Sequence, residues 1–233
     1  PTRAPPDGSK GKGFNLRAQT RRETIEPMKV LVIGATGLTG KLAVQQLLLQ
    51  GYEVTAFARN PADVTPAHAS LRTVKGDARD LASLEAAVTG QDAVLAAFGP
   101  RSLSKDDLQE VFARNLIAAM TKSGVKRLVN LSAWGSGDSR PHSNFLFKII
   151  RDTLLRNVFA DKDRGEALLI ASDLDWTNVR PGQLINDPAR GGVKASLDPA
   201  GLKPKMTRAD LATFMIEQLT SDTWVRKSPL IGY

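Results

Sequence analysis

Three glycines stand three residues apart, Gly34, Gly37 and Gly40, within "VLVIGATGLTGKLAVQQLLLQGYEVTAFARN", the stretch from Val30 to Asn60. An apolar run precedes them and a helical pattern follows. A loop that lays its backbone against a pyrophosphate needs a tight turn, close approach, and close packing of helix on strand. Each need is met by a residue without a Cβ. The free N–H groups at the start of the following helix, with the helix dipole, then bind the phosphates. Thr36 and Thr39 add hydroxyl donors. A glycine-rich turn without a ligand has the same spacing, but it does not require a strand before, a helix after and a second strand beyond. The second apolar run ends on Arg59 in "AFARNP", with no acid at that point. Sites that prefer NAD carry Asp or Glu there, accepting from the ribose hydroxyls. A carboxylate repels a 2′-phosphate, whereas an arginine pairs with it through two parallel hydrogen bonds. The residues therefore predict NADP(H) over NAD. The alternative is a solvated surface arginine.

The elements that must position these residues alternate. Apolar, β-branched runs read as buried parallel strands at Lys29–Ile33, Glu53–Ala58, Leu71–Lys75, Ala93–Ala97, Arg127–Ser132 and Trp176–Arg180. Helical patterns lie between them at Gly40–Gln50, Asp80–Val88, Leu108–Ser123 and Phe159–Ala171. Helix stops are expected at Gly51, Gly90 and Gly124. This order predicts an α/β fold, a doubly wound parallel sheet with helices on both faces, in a single Rossmann-like domain over 28–233. After Gly182 the signal thins to loop and a short strand. A last helix near Arg208–Leu219 follows, with Thr207 as its N-cap.

Composition narrows the classes. The 233 residues are enough for one core and short for two domains. There are no cysteines and two histidines, which excludes disulfides, thiolate sites and cysteine nucleophiles, and argues against a histidine metal cluster. No metal is expected. No run is apolar for long enough to span a bilayer. The net charge is +8. Residues 1–27 hold six Lys and Arg against three Asp and Glu, and the remainder 26 against 21. A mildly basic core suits an anionic ligand such as a nucleotide. No interleaved basic and aromatic pattern points to nucleic acid. Residues 1–27, rich in Pro, Gly and Arg, read as a basic flexible extension: a processed leader, a remnant, or an arm that docks on a partner.

From Met28 on, the chain resembles the atypical short-chain dehydrogenases, in the group of NAD(P)H-binding proteins similar to biliverdin reductase B (flavin reductase) and to NmrA-like proteins. The carriers are the glycine-loop stretch, "KGDARD", "VTGQDAVLAAFGP", "LVNLSAWG" and "ASDLDWTNVRPGQL". The resemblance implies roles by position. Gly34, Thr36, Gly37, Leu38 and Thr39 line the pyrophosphate, and Arg59 holds the adenosine phosphate. Asp77 and Ala78 flank the adenine. Ala97, Phe98 and Gly99 border the ribose and nicotinamide side. Ser132 and Ala133 lie beside the nicotinamide, and Pro181, Gly182 and Gln183 close over its carboxamide.

The better-known short-chain dehydrogenases use a Tyr-x-x-x-Lys pair to exchange a proton. Here the tyrosines are Tyr52, followed four positions on by Ala56, and the last residue, Tyr233. Neither fits that role. Alcohol–ketone interconversion by that route is therefore not expected. Reduction of a flavin such as FMN, or of a linear tetrapyrrole, remains open, because a conjugated ring takes hydride and protonation can come from solvent. Lys162, in "FADKDRGEALL", is a catalytic candidate that would bind an acidic acceptor or assist protonation. Its alternative is a solvated lysine pairing with Asp161 or Glu166 on a helix face. Ser132 is the second candidate, bonding nicotinamide or acceptor, or else a satisfied strand-end hydroxyl. Asn115 reads as structural, and His142 as exposed.

The stretch Ser143–Lys162 is amphipathic, with Phe145, Leu146, Ile149, Ile150, Leu154, Leu155, Val158 and Phe159 recurring at three and four. It reads as a helix packed on the sheet, a wall over the acceptor, or a docking helix for a membrane surface or partner. Phe98 and Trp134 suit a flat aromatic acceptor, or are core filler. The expected activity is NADPH-dependent hydride transfer to a small planar conjugated acceptor. The rivals are an NADP-sensing regulator or chaperone of the NmrA-like kind, and an accessory subunit holding structural NADPH. A monomer is the expected state. The cytoplasm is the default compartment, and an organelle follows if residues 1–27 are a leader.

Overall fold

Alternation along the first strand sets up two cores at once. The computed structural model describes residues 26–99, 106–142 and 145–233. In β1 (Lys29–Ile33), Val30 and Val32 face one cluster, while Leu31 and Ile33 face the other. A strand buried on both faces presents every side chain to apolar neighbours, which is why it reads as a continuous apolar run. The other parallel strands are β2 (Glu53–Ala58), β3 (Leu71–Lys75), β4 (Ala93–Ala96), β5 (Arg127–Leu131) and β6 (Asp175–Pro181). They stack in the order β3-β2-β1-β4-β5-β6. Register is set by pairs such as Val32 with Ala56 and Val32 with Leu95.

Helix α1 (Leu38–Leu49) packs on one face through Ala43, Val44 and Leu47. Helices α2 (Leu81–Val88) and α3 (Leu108–Ser123) cover the other through Leu84, Phe112 and Leu116. Asp80 accepts from the N–H groups of Ala82 and Ser83 and so starts α2. Gly124 ends α3 in the left-handed region, at φ 73°. Helices α4 (Phe145–Asp152) and α5 (Arg156–Ile170) follow β5, and α5 packs against α3. Gly165 permits that contact, since a Cβ there would lie 2.8 Å from the Gln109 carbonyl.

The C-terminal part holds more structure than its sequence announces. Short strands β7 (Leu184–Ile185) and β9 (Met206–Thr207) pair with each other. Strand β10 (Leu230–Gly232) extends the main sheet beside β6, and β8 (Lys194–Ser196) adds an antiparallel edge. Pieces of two or three residues are too short to carry a period, so β7, β9 and β10 leave no signal in the sequence. Helix α6 (Arg208–Glu217) joins α1 on its face of the sheet, and Thr207 accepts from the Asp210 N–H as its N-cap. The arrangement is a Rossmann-like fold in a single domain. The expected extension over 1–27 falls, save for Glu26 and Pro27, outside the described residues. Among the described residues no helix is long and apolar enough to cross a membrane.

Candidate active site

Strand order reverses between β1 and β4, and open α/β sheets bind ligands outside the carboxyl ends of their strands at such a point. A cleft of about 480 Å³ opens there. Of the expected site residues, Gly34, Thr36, Arg59, Asp77, Ala78, Phe98 and Gly99 line it.

The glycine loop is packed to the limit. Gly34 has φ +82°, and a Cβ on it would lie 2.7 Å from the Ala97 carbonyl oxygen and 2.8 Å from the Phe98 Cβ. A Cβ on Gly40 would lie 2.0 Å from the Gly34 carbonyl oxygen. The Gly37 N–H donates to that same oxygen at 2.9 Å. Helix α1 starts at once, with no side-chain cap and no acid in its first turn. Its first N–H groups and the positive end of its dipole are thus left for an anion, which is the donor set that a pyrophosphate requires. Thr39 is buried and does not line the cleft, so of the two expected hydroxyl donors only Thr36 reaches it. Leu38 points outward.

Arg59 is exposed on the cleft rim and has no ion pair among the described residues. Asn60 beside it donates from Nδ2 to Asp63 Oδ1 at 3.1 Å. Across the cleft, Asp77 Oδ1 accepts from the Arg79 N–H at 2.9 Å, which fixes the turn carrying Asp77 and Ala78. Phe98 stands edge-on to Phe112, ring centroids 4.8 Å apart. Arg79 was not singled out in the sequence, yet it lines the cleft. Its guanidinium bonds Asp107 at 2.7 Å and also Asp106, tying the turn to the entry of α3. The charges of "KGDARD" and "SKDDLQ" were the available signal, and nothing in the sequence paired them. Asn115 donates from Nδ2 to the Arg79 carbonyl at 2.9 Å, the structural part expected of it.

A second group of expected residues gathers at the ends of β5 and β6. The Ser132 N–H donates to the Val179 carbonyl and the Trp134 N–H to the Pro181 carbonyl, both at 2.8 Å. Ser132 and Ala133 thereby run alongside Pro181 and Gly182. Gly182 is pressed against Pro204, whose oxygen would lie 2.3 Å from a Cβ. The Gln183 carbonyl accepts from the Met206 N–H at 2.9 Å. Ser132 is 5% exposed, and its Oγ has no hydrogen-bond partner among the described residues. The satisfied strand-end hydroxyl is therefore not what the structure contains. A buried hydroxyl left unpaired costs free energy unless something else completes it. Trp134 is buried and donates to the His142 carbonyl at 3.4 Å, so it belongs to the core. His142 itself is exposed.

Lys162 differs most from its bland alternative. It is buried on α5, not solvated. Burial pushes its amine below the usual lysine range, against the pull of Glu166, Asp161 and Asp163. None of those carboxylates pairs with it. Asp161 accepts from the Gln109 and Glu110 N–H groups, closing the start of α3 from outside. Asp163 accepts from the Gly137 N–H at 2.9 Å and from Arg151 at 3.1 Å. Glu166 binds Arg180 at 2.7 Å. Gln109, 7% exposed and with Nε2 unpartnered, is a further polar group on this α3–α5 seam that carried no sequence signal.

A family model described as NAD(P)H-binding matches residues 34–222. An uncharacterized chloroplastic protein of Arabidopsis thaliana is 29% identical, aligned over 92% of this chain and 82% of its own length. Among solved structures, an oxidoreductase from Lactococcus lactis, ylbE, superposes with a TM-score of 0.75 at 25% identity, covering 88% of this chain and 90% of that one. ChuY, an anaerobilin reductase from Escherichia coli O157:H7, superposes with a TM-score of 0.76 at 21% identity, covering 88% and 97%.

Proposed function

We propose, from the premise that this chain belongs to the NAD(P)H-binding family, that it is an NADPH-dependent reductase acting on a planar conjugated acceptor, a flavin or a linear tetrapyrrole. The observation that carries this is the pairing of an uncapped glycine loop at the cleft with the lack of a free phenol among the two tyrosines. Tyr233 donates its hydroxyl to Asp210, and Tyr52 packs against the core beside α1. A carbonyl reduced to an alcohol needs a proton delivered to oxygen as hydride arrives. A conjugated ring takes hydride at carbon or nitrogen and can gain its proton from solvent.

NADPH would supply the hydride. The chain's own residues would bind and orient. The uncapped start of α1 would hold the pyrophosphate through backbone N–H groups. Arg59, which pairs with no acid among the described residues, would bind the 2′-phosphate. The turn at Asp77 and Ala78 would bound the adenine, and the wall at Phe98 and Gly99 the ribose. The unpartnered Ser132 Oγ would hydrogen-bond the nicotinamide or the acceptor. Pro181 to Gln183 would cover the carboxamide. The buried Lys162 amine, with its lowered proton affinity, would meet an acidic acceptor or hold the proton that follows the hydride. The shared fold of ChuY, an anaerobilin reductase, supports the tetrapyrrole class of acceptor.

The test is NADPH oxidation by the purified chain, followed by absorbance, with FMN and then biliverdin as acceptor and NADH as control. The expected result is turnover that prefers NADPH and loses that preference in Arg59→Glu. Saturable NADPH binding without turnover on either acceptor would reject the reductase and leave a sensor or an accessory subunit.

A further inference from the structure

Helix α4 is built inside out. Its one buried residue is a cation, Arg151, 4% exposed. Phe147 is half-buried, edge-on to Phe159 with ring centroids 5.9 Å apart, but the other large apolar side chains face solvent: Phe145 is 80% exposed, Leu146 68% and Ile149 46%, and Leu154 just past its end is 62% exposed. The inversion is held in place. Arg151 Nε donates to the Gly135 carbonyl at 2.7 Å, its terminal nitrogens bind Asp152 and Asp163, and its guanidinium lies 4.9 Å from the Phe159 ring centre. Turning the helix to bury Phe145 and Leu146 would tear a nearly dry arginine from three oxygen partners. Of the three readings of this stretch, a single helix packed on the sheet is not what forms: it is two helices, of which α5 packs inward with Phe159 buried and α4 does not.

The charges around the apolar face are cations. Lys148 and Arg156 carry no ion pair among the described residues, while Asp152, the acid of α4, is bound by Arg140 and Arg151. A convex, two-turn face of Phe, Leu and Ile edged by unpaired cations has the make-up of an element that lies in a lipid headgroup layer. A second copy of this chain suits it poorly. A two-fold interface sets the same patch against itself, and so sets Lys148 and Arg156 against their own like charges.

We propose that α4 docks the protein on an anionic membrane surface, with Phe145, Leu146 and Ile149 entering the acyl boundary and Lys148 and Arg156 meeting lipid phosphates. Arg151 of α4 holds the Gly135 carbonyl, three residues past Ser132, so docking would bring the acceptor side near the bilayer.

The test is flotation of the full chain with phosphatidylcholine vesicles, with and without phosphatidylglycerol. Binding to the anionic vesicles is expected, weakened by salt. Leu146→Ser with Ile149→Ser should lower the bound fraction at least about tenfold, and Lys148→Glu with Arg156→Glu should abolish the preference for phosphatidylglycerol. NADPH binding should persist in both variants, which checks that they fold. No binding of the native chain to anionic vesicles would overturn the proposal. So would undiminished binding of the serine variant, which would place the contact elsewhere, in the basic N-terminal segment for example. A dimer in sedimentation that the serine variant dissolves, without vesicle binding, would overturn it in favour of a second copy. Flotation needs no turnover, so it stands or falls separately from the reductase assay.

Discussion

Two buried cations are served by the same stretch of α5, and they are treated in opposite ways. Arg180, 2% exposed, receives both oxygens of Glu166 and one of Asp138. Lys162, one helical turn before Glu166, is 8% exposed and receives none of the carboxylates around it. The first ties β6 to α5 and to the loop after β5. A pair of this kind is structural, because removing one partner strands a charge in a poor solvent. The second costs stability in the folded chain, because burial outweighs the attraction of the acids around it. Under the proposed function that amine is free to meet an acceptor, and the unpartnered Ser132 Oγ just past β5 is likewise free to bond. In this pair the satisfied cation holds the scaffold together, and the unpaired amine is the one the proposed reaction would use.

The largest effect should come from breaking the satisfied pair. Glu166→Ala leaves Arg180 buried with the exposed Asp138 alone, and we expect a loss of about 3 kcal/mol in denaturant unfolding. A loss below about 1 kcal/mol would remove the contrast. Next, Lys162→Met should do the reverse on both counts. Turnover should fall by about 100-fold, the weight of a positioned proton donor, while the melting temperature rises. The pH dependence sharpens this. The folded amine has a lowered proton affinity, so its cost to stability is full below the folded value and vanishes as pH rises past the ordinary amine value of 10.5. The stability advantage of the Met variant should therefore shrink towards alkaline pH. Unchanged turnover would make Lys162 a packing residue and end the comparison.

Arg59→Glu comes third. It should raise KM for NADPH by about tenfold and leave KM for NADH little changed. Equal effects on both cofactors would mean that Arg59 meets no 2′-phosphate. The smallest effect concerns Asp210, a buried anion treated like Arg180. Burial alone would raise its proton affinity, but bonds from Tyr233, the Arg190 and Gly191 N–H groups and Thr207 hold it below the usual carboxylate range. Its stabilisation is present above the ordinary value of 3.8 and is lost as pH falls through the lower folded value. Tyr233→Phe removes one donor and should cost about 1 kcal/mol at neutral pH, read as a lower urea midpoint. The cost should disappear in acid.

The six-strand alternation, the glycine loop and the cation at Arg59 are legible in the residues alone. Each depends on local chemistry. Buried parallel strands must be apolar throughout, a turn against phosphate must lack Cβ atoms, and the residue just after β2 sits on the cleft rim in any chain wound this way. Thr207 was legible as an N-cap, and Gly124 as a helix stop, for the same reason. Tertiary structure alone decided which charges were paired. Nothing in "FADKDRGEALL" says that Asp161 is spent on α3, Asp163 on Gly137 and Glu166 on Arg180, because those partners lie 14 to 52 residues away in the chain. Only when they are taken does Lys162 stand alone. The same holds for α4. Its amphipathic period was plain, but a period cannot say which face turns inward. The long-range grip on Arg151 settles that, by burying the cation and leaving Phe145, Leu146 and Ile149 to the solvent.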